Sequence, residues 1–202
     1  MTKLFLKKVY MKKYLGLLVN EKKLSPRSRR NSSALKTAKD SVTRNNNYMK
    51  QGGTYDFLFI GCDKESEKLT NELVDYFNRM YPTKVLINLG SYRLFPDLTI
   101  ILKKTLNHMK TNINFDSKLG IFIGQSGAGM AMCANKIKKI RASACNNIND
   151  VFEGVTKLNM NVMCLNNTLN MSEMSHIVES FMRLEFQPVD VHVKIVDKIN
   201  KI

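Results

Sequence analysis

A short apolar run, Lys118-Leu119-Gly120-Ile121-Phe122-Ile123, opens into the turn Gly124-Gln125-Ser126-Gly127-Ala128-Gly129 and then into Met130–Ile137, which reads as a helix. No stretch constrains the fold more. A strand that is apolar on both faces belongs in a parallel sheet buried on both sides. Glycines let the turn bend and bring its backbone close to a guest. Unpaired N–H groups at a helix start favour negative charge, so the guest chemistry is phosphate, carboxylate or an enediolate oxygen. A plain strand-to-helix turn has the same composition, and that reading stays open on these residues alone.

The flanking pattern extends the constraint. Strand-like runs occur at Tyr55–Ile60, Lys84–Leu89, Lys118–Ile123, Ile140–Cys145 and Asn161–Leu165. Between them lie helical patterns over Glu65–Met80, with Leu69, Leu73, Phe77 and Met80 on one face, and from Pro96-Asp97 to about Met109. A short helix is expected over Asn149–Lys157, further helices over Met171–Leu184 and Val189–Ile202, and a turn at Gly90-Ser91. Alternating strands and helices predict an α/β fold, a five-stranded parallel sheet with right-handed crossovers. Ligands of such sheets bind beyond the carboxyl ends of the strands. Cys62-Asp63-Lys64, the glycine turn and Asn146-Asn147 all fall there.

Charge divides the chain in two. Residues 1–54 hold fourteen Lys and Arg against two Asp and Glu, a net of +12. Residues 55–202 hold eighteen against fifteen, a net of +3. The basic leader is therefore expected to be a disordered arm or an organellar targeting segment, with a cytoplasmic or organellar location. Its longest apolar run, Tyr14–Val19, is too short to span a membrane. The nearly neutral domain from residue 55 argues against a nucleic-acid-binding surface. Four cysteines form no CxxC pair and three scattered histidines no zinc spacing, so neither a disulfide framework nor a metal is expected.

The turn departs from the common phosphate loops. It follows the third strand rather than the first, and no Gly-Lys-Ser/Thr follows it. Gly124-Gln125-Ser126-Gly127-Ala128 misses the nucleophile elbow by its last residue, and no histidine stands on a strand-end loop to serve Ser126.

Several segments together resemble the type B ribose-5-phosphate isomerases, a family that includes the galactose-6-phosphate isomerase subunits. They are Gly61-Cys62-Asp63, Phe95-Pro96-Asp97, the run Gly120–Gly129, Ala134-Asn135-Lys136, Ile140-Arg141-Ala142 and Asn161-Val162. The resemblance covers Tyr55 to the C-terminus. It implies a Rossmann-like three-layer α/β/α sandwich, a homodimer, and metal- and cofactor-free aldose–ketose interconversion of a phosphorylated sugar. Asp63 matches the ring-opening aspartate, and Ser126 belongs to the enediolate cradle. Lys64, Gln125, Gly127, Ala128, Gly129 and Lys194 fall at substrate-binding positions. The family's proton-moving base is a cysteine where this chain has Gly124, or a glutamate where it has Met130. Its phosphate-binding arginines fall near Thr168, Asp190 and Lys194. A general base contributes about 10²–10⁴ in rate. Impaired isomerase activity is therefore expected, or an inactive relative that binds a sugar phosphate or serves a regulatory or structural role. A cysteine at 124 or a glutamate at 130 is expected to raise any residual rate.

Overall fold

The computed structural model describes residues 57–82, 84–108 and 114–201. The basic leader, Tyr55 and Met109 lie outside them. Five strands form one parallel sheet: β1 (Phe57–Asp63), β2 (Val85–Tyr92), β3 (Gly120–Gly124), β4 (Ala142–Cys145) and β5 (Val162–Asn166), in the order β2-β1-β3-β5-β4. The helices are α1 (Glu67–Met80), α2 (Phe95–His108), α3 (Gly127–Ala134), α4 (Ile148–Leu158), α5 (Met171–Arg183) and α6 (Asp190–Ile199).

Right-handed crossovers decide which helix covers which face. The steps from β2 to β3 and from β3 to β4 run one way along the sheet, and their helices α2 and α3 share a face. Leu98, Leu102, Met130, Ala131 and Ala134 pack there against Phe59, Leu89, Phe122 and Cys164. The steps from β1 to β2 and from β4 to β5 run the other way and put α1 and α4 opposite, with α5 beside them. Leu73, Phe77, Val151, Val155, Ile177 and Phe181 meet Leu58, Ile60, Ile121, Ile123 and Leu165 on that side. The result is a three-layer α/β/α sandwich. The central strand β3 is buried throughout, as its uninterrupted apolar sequence requires.

Local chemistry moves several boundaries. Gly90-Ser91 is not a turn but part of β2. Ile60 pairs with Asn88 and Gly61 with Gly90, so Leu89 is the extra residue of a bulge. Gly90 adopts φ 83° there, and its N–H donates to Asn88 Oδ1 at 2.7 Å. The helix after the glycine turn begins at Gly127, inside the turn, because Ser126 Oγ accepts from Gly129 N at 3.0 Å and caps it. Asn135 closes it: its backbone N–H still donates to Ala131 O at 3.0 Å, while its side chain pairs with Ala142, accepting from its N–H at 2.7 Å and donating to its carbonyl at 2.9 Å. That pairing joins the Ala134-Asn135-Lys136 segment to Ile140-Arg141-Ala142. Met80 is 47% exposed rather than inward, since α1 ends there and turns away at Tyr81. Met130, Met160 and Met163 are core side chains, whereas Met132 is 70% exposed.

Candidate active site

The chain leaves β1 toward β2 and later returns across it to β3, so the order in which strands are added reverses between β1 and β3, although the two strands run parallel. Ligands of open α/β sheets bind in the crevice at such a switch point. Asp63 ends β1, and Gln125 follows the end of β3. The two meet: Gln125 N donates to Asp63 Oδ2 at 2.6 Å. Asp63 Oδ1 accepts from Ser66 N at 3.0 Å and from Ser66 Oγ at 2.5 Å, which fixes the carboxylate over the entry to α1.

Gly124 makes this contact possible. A Cβ there would lie 2.6 Å from Asp63 Oδ2, 3.1 Å from Asp63 Cγ and 3.2 Å from Met130 Cε. No real side chain fits without displacing the carboxylate. Gly127 serves another purpose. Its Cβ would meet Cys164 O at 3.2 Å and Ala144 Cβ at 3.5 Å, so glycine lets the helix start press on the ends of β4 and β5. Gly129 admits the ring of Phe95, whose Cζ lies 2.9 Å from a Cβ placed at 129. Phe95 thus walls one side of the loop.

The loop's donors are divided. The N–H of Gln125 is committed to Asp63, that of Gly129 to Ser126 Oγ at 3.0 Å, and that of Met130 to Ser126 O at 3.0 Å. The N–H groups of Gly127 and Ala128, the first two helical residues, have no acceptor among the described residues. Ser126 is exposed, and its hydroxyl hydrogen remains available beside them. These groups form an anion cradle at a helix start, bordered by the Asp63 carboxylate.

The other anticipated residues divide by position. Lys64 is exposed at the mouth and ion-pairs with Glu67. Asn146 and Asn147 stand at the end of the edge strand, where Asn146 N donates to Asp150 Oδ2 at 2.8 Å and Asn147 Oδ1 caps α4. Because β5 lies between β3 and β4, Asn166 flanks the cradle instead. Its Nδ2 reaches Gln125 O at 3.4 Å, and the next N–H, of Asn167, donates to Gly124 O at 2.9 Å. Only strand order could have revealed Asn166. Lys194 lies on α6, away from the cradle of its own chain. The segment leading into α6 is tied by Gln187 N to Thr156 O near the end of α4, and Asn200 beyond α6 is tied to Arg141 ahead of β4. Both ties lie at the sheet end opposite the cradle.

The nearby thiols are not bases at neutral pH. Burial pushes Cys62 up to about 12 and Cys145 to about 12, and raises Cys164 further.

The model of the Ribose/Galactose Isomerase family matches residues 58–199. The chain belongs to this family. A curated relative from Rickettsia bellii (strain RML369-C), named "Putative sugar phosphate isomerase", is 24% identical over 139 residues, covering 66% of this chain and 90% of its own. Solved structures of similar fold include type B ribose 5-phosphate isomerase of Leishmania infantum, 24% identical, with TM-score 0.63 over 73% of this chain and 95% of that one. Ribose-5-Phosphate Isomerase B of Clostridium thermocellum is 23% identical, with TM-score 0.61 over 72% and 95%. At these identities the solved structures show the fold, while the family match extends over residues 58–199.

Proposed function

We propose that this chain binds a phosphorylated sugar at the Ser126–Gly129 cradle and interconverts its aldose and ketose forms slowly, in a ribose 5-phosphate to ribulose 5-phosphate type of reaction. The unpaired N–H groups of Gly127 and Ala128, set between the Ser126 hydroxyl and the Asp63 carboxylate, carry this reading. They suit an oxygen that becomes negative during proton transfer between C1 and C2. Reduced rate follows from the family's base positions. Gly124 offers no side chain, and Met130 is buried in the core. The same two residues favour the second reading, a relative that binds the sugar phosphate without turnover. A coupled assay for ribulose 5-phosphate, beside calorimetry with ribose 5-phosphate, separates the two. Turnover far below the typical ~10 s⁻¹ with measurable binding supports the first reading. Binding alone supports the second.

The working unit in this proposal is a homodimer. Val191, Ile195 and Ile199 form an exposed stripe on α6 at four-residue spacing, and Met132 is exposed on α3. A second copy covering these faces gives the stripe a partner and is the route by which Lys194 reaches a cradle. Sedimentation at micromolar concentration is expected to show a dimer, and Ile195→Lys a monomer. A wild-type monomer would remove dimerisation from the proposal.

A further inference from the structure

The geometry points to Asp63 as the proton-transfer base at C2, admitted to that place by the missing side chain of Gly124. This rests on the isomerase reading and names the group that moves its proton. Isomerisation needs a base beside the groups that receive the enediolate. Among the described residues, Asp63 offers the carboxylate that touches the loop. Glu67 is drawn to Lys64, Asp150 accepts from Asn146 N beyond the edge strand β4, and Cys62 is buried as a thiol. Asp63 Oδ1 carries two donors, but Oδ2 carries one, leaving a lone pair. Oδ2 lies 2.6 Å from where a Cβ of residue 124 would stand, beside the helix start with its open N–H groups.

In the step, Oδ2 takes the C2 proton of the open-chain aldose. The C2–H electron pair becomes the C1=C2 π bond, and the carbonyl pair moves onto O1, which Gly127 N and Ala128 N receive. Asp63 then returns its proton to C1 as the C2=O bond forms. The O2 proton passes through the Ser126 hydroxyl to O1, giving the ketose with every proton accounted for.

The test uses the full chain and two sugars. Ribose 5-phosphate must open its ring, whereas erythrose 4-phosphate cannot close one through its phosphorylated O4. Deuterium entry at C2 from heavy water, followed by NMR, reports proton transfer, and calorimetry reports binding separately. Wild-type protein is expected to exchange both sugars. Asp63→Asn keeps the shape of the carboxylate, and Gly124→Ala pushes that carboxylate aside. Each is expected to lose about 10²–10⁴ of the exchange on both sugars, with sugar binding held within a few-fold. If either folded variant keeps exchange on erythrose 4-phosphate, Asp63 is not the base, and a loss confined to ribose 5-phosphate limits it to ring opening. Wild-type binding without exchange would also overturn the proposal. Absence of binding at millimolar sugar would instead overturn the isomerase reading itself.

Discussion

At the residue scale, two glycines that look alike in the sequence do different work. Gly124 admits the Asp63 carboxylate, and Gly127 lets a helix rest on β5. An acidic group at Gly127 would therefore strike Cys164 O rather than fill the cradle. Ala128 already carries a Cβ in an exposed position at the second helical residue. Ala128→Asp is expected to weaken phosphate or sugar-phosphate binding at least tenfold by calorimetry while leaving the melting temperature nearly unchanged. Unaltered affinity would show that anions do not use this helix start. The site was legible as far as local spacing carries: Ser126 as cap and Asp63 at a strand end both follow from the sequence. The meeting of Asp63 with Gly124 was not, because it depends on two strands 61 residues apart being neighbours. It also changes an expectation. Gly124→Cys evicts Asp63, and Met130→Glu puts a carboxylate into the apolar core, so neither single change is a simple restoration. Arg141, noticed in the sequence as part of a motif, is a buried structural hub. It donates from Nε to Asn159 O at 2.5 Å, from Nη2 to Phe115 O at 2.7 Å and from Nη1 to Asn200 Oδ1 at 3.0 Å. Arg141→Met would strand these acceptors. A loss of about 3 kcal/mol in denaturant unfolding is expected, and a loss below about 1 kcal/mol would mean that water replaces the guanidinium.

At the scale of elements, apolar periodicity marks all five strands and the described helices, and three of the displaced boundaries share one cause. Each is set by a side chain bonding to backbone rather than by apolar spacing. Asn88 holds the bulge that carries β2 through Gly90-Ser91, Ser126 draws α3 back into the turn, and Asn135 ends it. At α5 the polar signal and the apolar period coincide, and the helix starts at Met171 where the sequence places it. Asn170 Oδ1 accepts from Glu173 N at 3.0 Å, while Glu173 Oε2 accepts from Asn170 N at 2.9 Å. This reciprocal cap satisfies two donors at the helix start. Asn170→Ala is expected to lower stability by about 1 kcal/mol, and Asn170→Ser to recover most of it. Equal losses for the two would place the effect in something other than the cap.

At the scale of the whole molecule, three thiols lie inside the sandwich: Cys62 and Cys145 in the layer under α1, α4 and α5, and Cys164 in the layer under α2 and α3. Among the described residues no helix is long and apolar enough to cross a membrane. Burying thiols between packed layers ties global stability to alkaline pH. In the unfolded chain a thiol ionises near its ordinary value of 9.0, whereas burial holds Cys62 and Cys145 up to about 12 in the folded protein and raises Cys164 as well. The folded state thus keeps protons that the unfolded state releases. The resulting stabilisation is complete below pH 9 and is lost as pH climbs toward 12. Each thiol adds at most about 1.4 kcal/mol per pH unit to that decline. Tyr76, raised to about 12 by burial and by its hydrogen bond to Glu179, adds to it above pH 10. Unfolding by urea at pH 8, 9.5 and 10.5 is therefore expected to show a steep fall for the wild type. Cys164→Ala, less stable at pH 8 because of the cavity it leaves, is expected to lose stability more gradually, by up to about 1.4 kcal/mol per unit. Parallel declines for the two proteins would show that Cys164 ionises alike folded and unfolded, and would leave the alkaline decline to the remaining groups, Cys62, Cys145 and Tyr76.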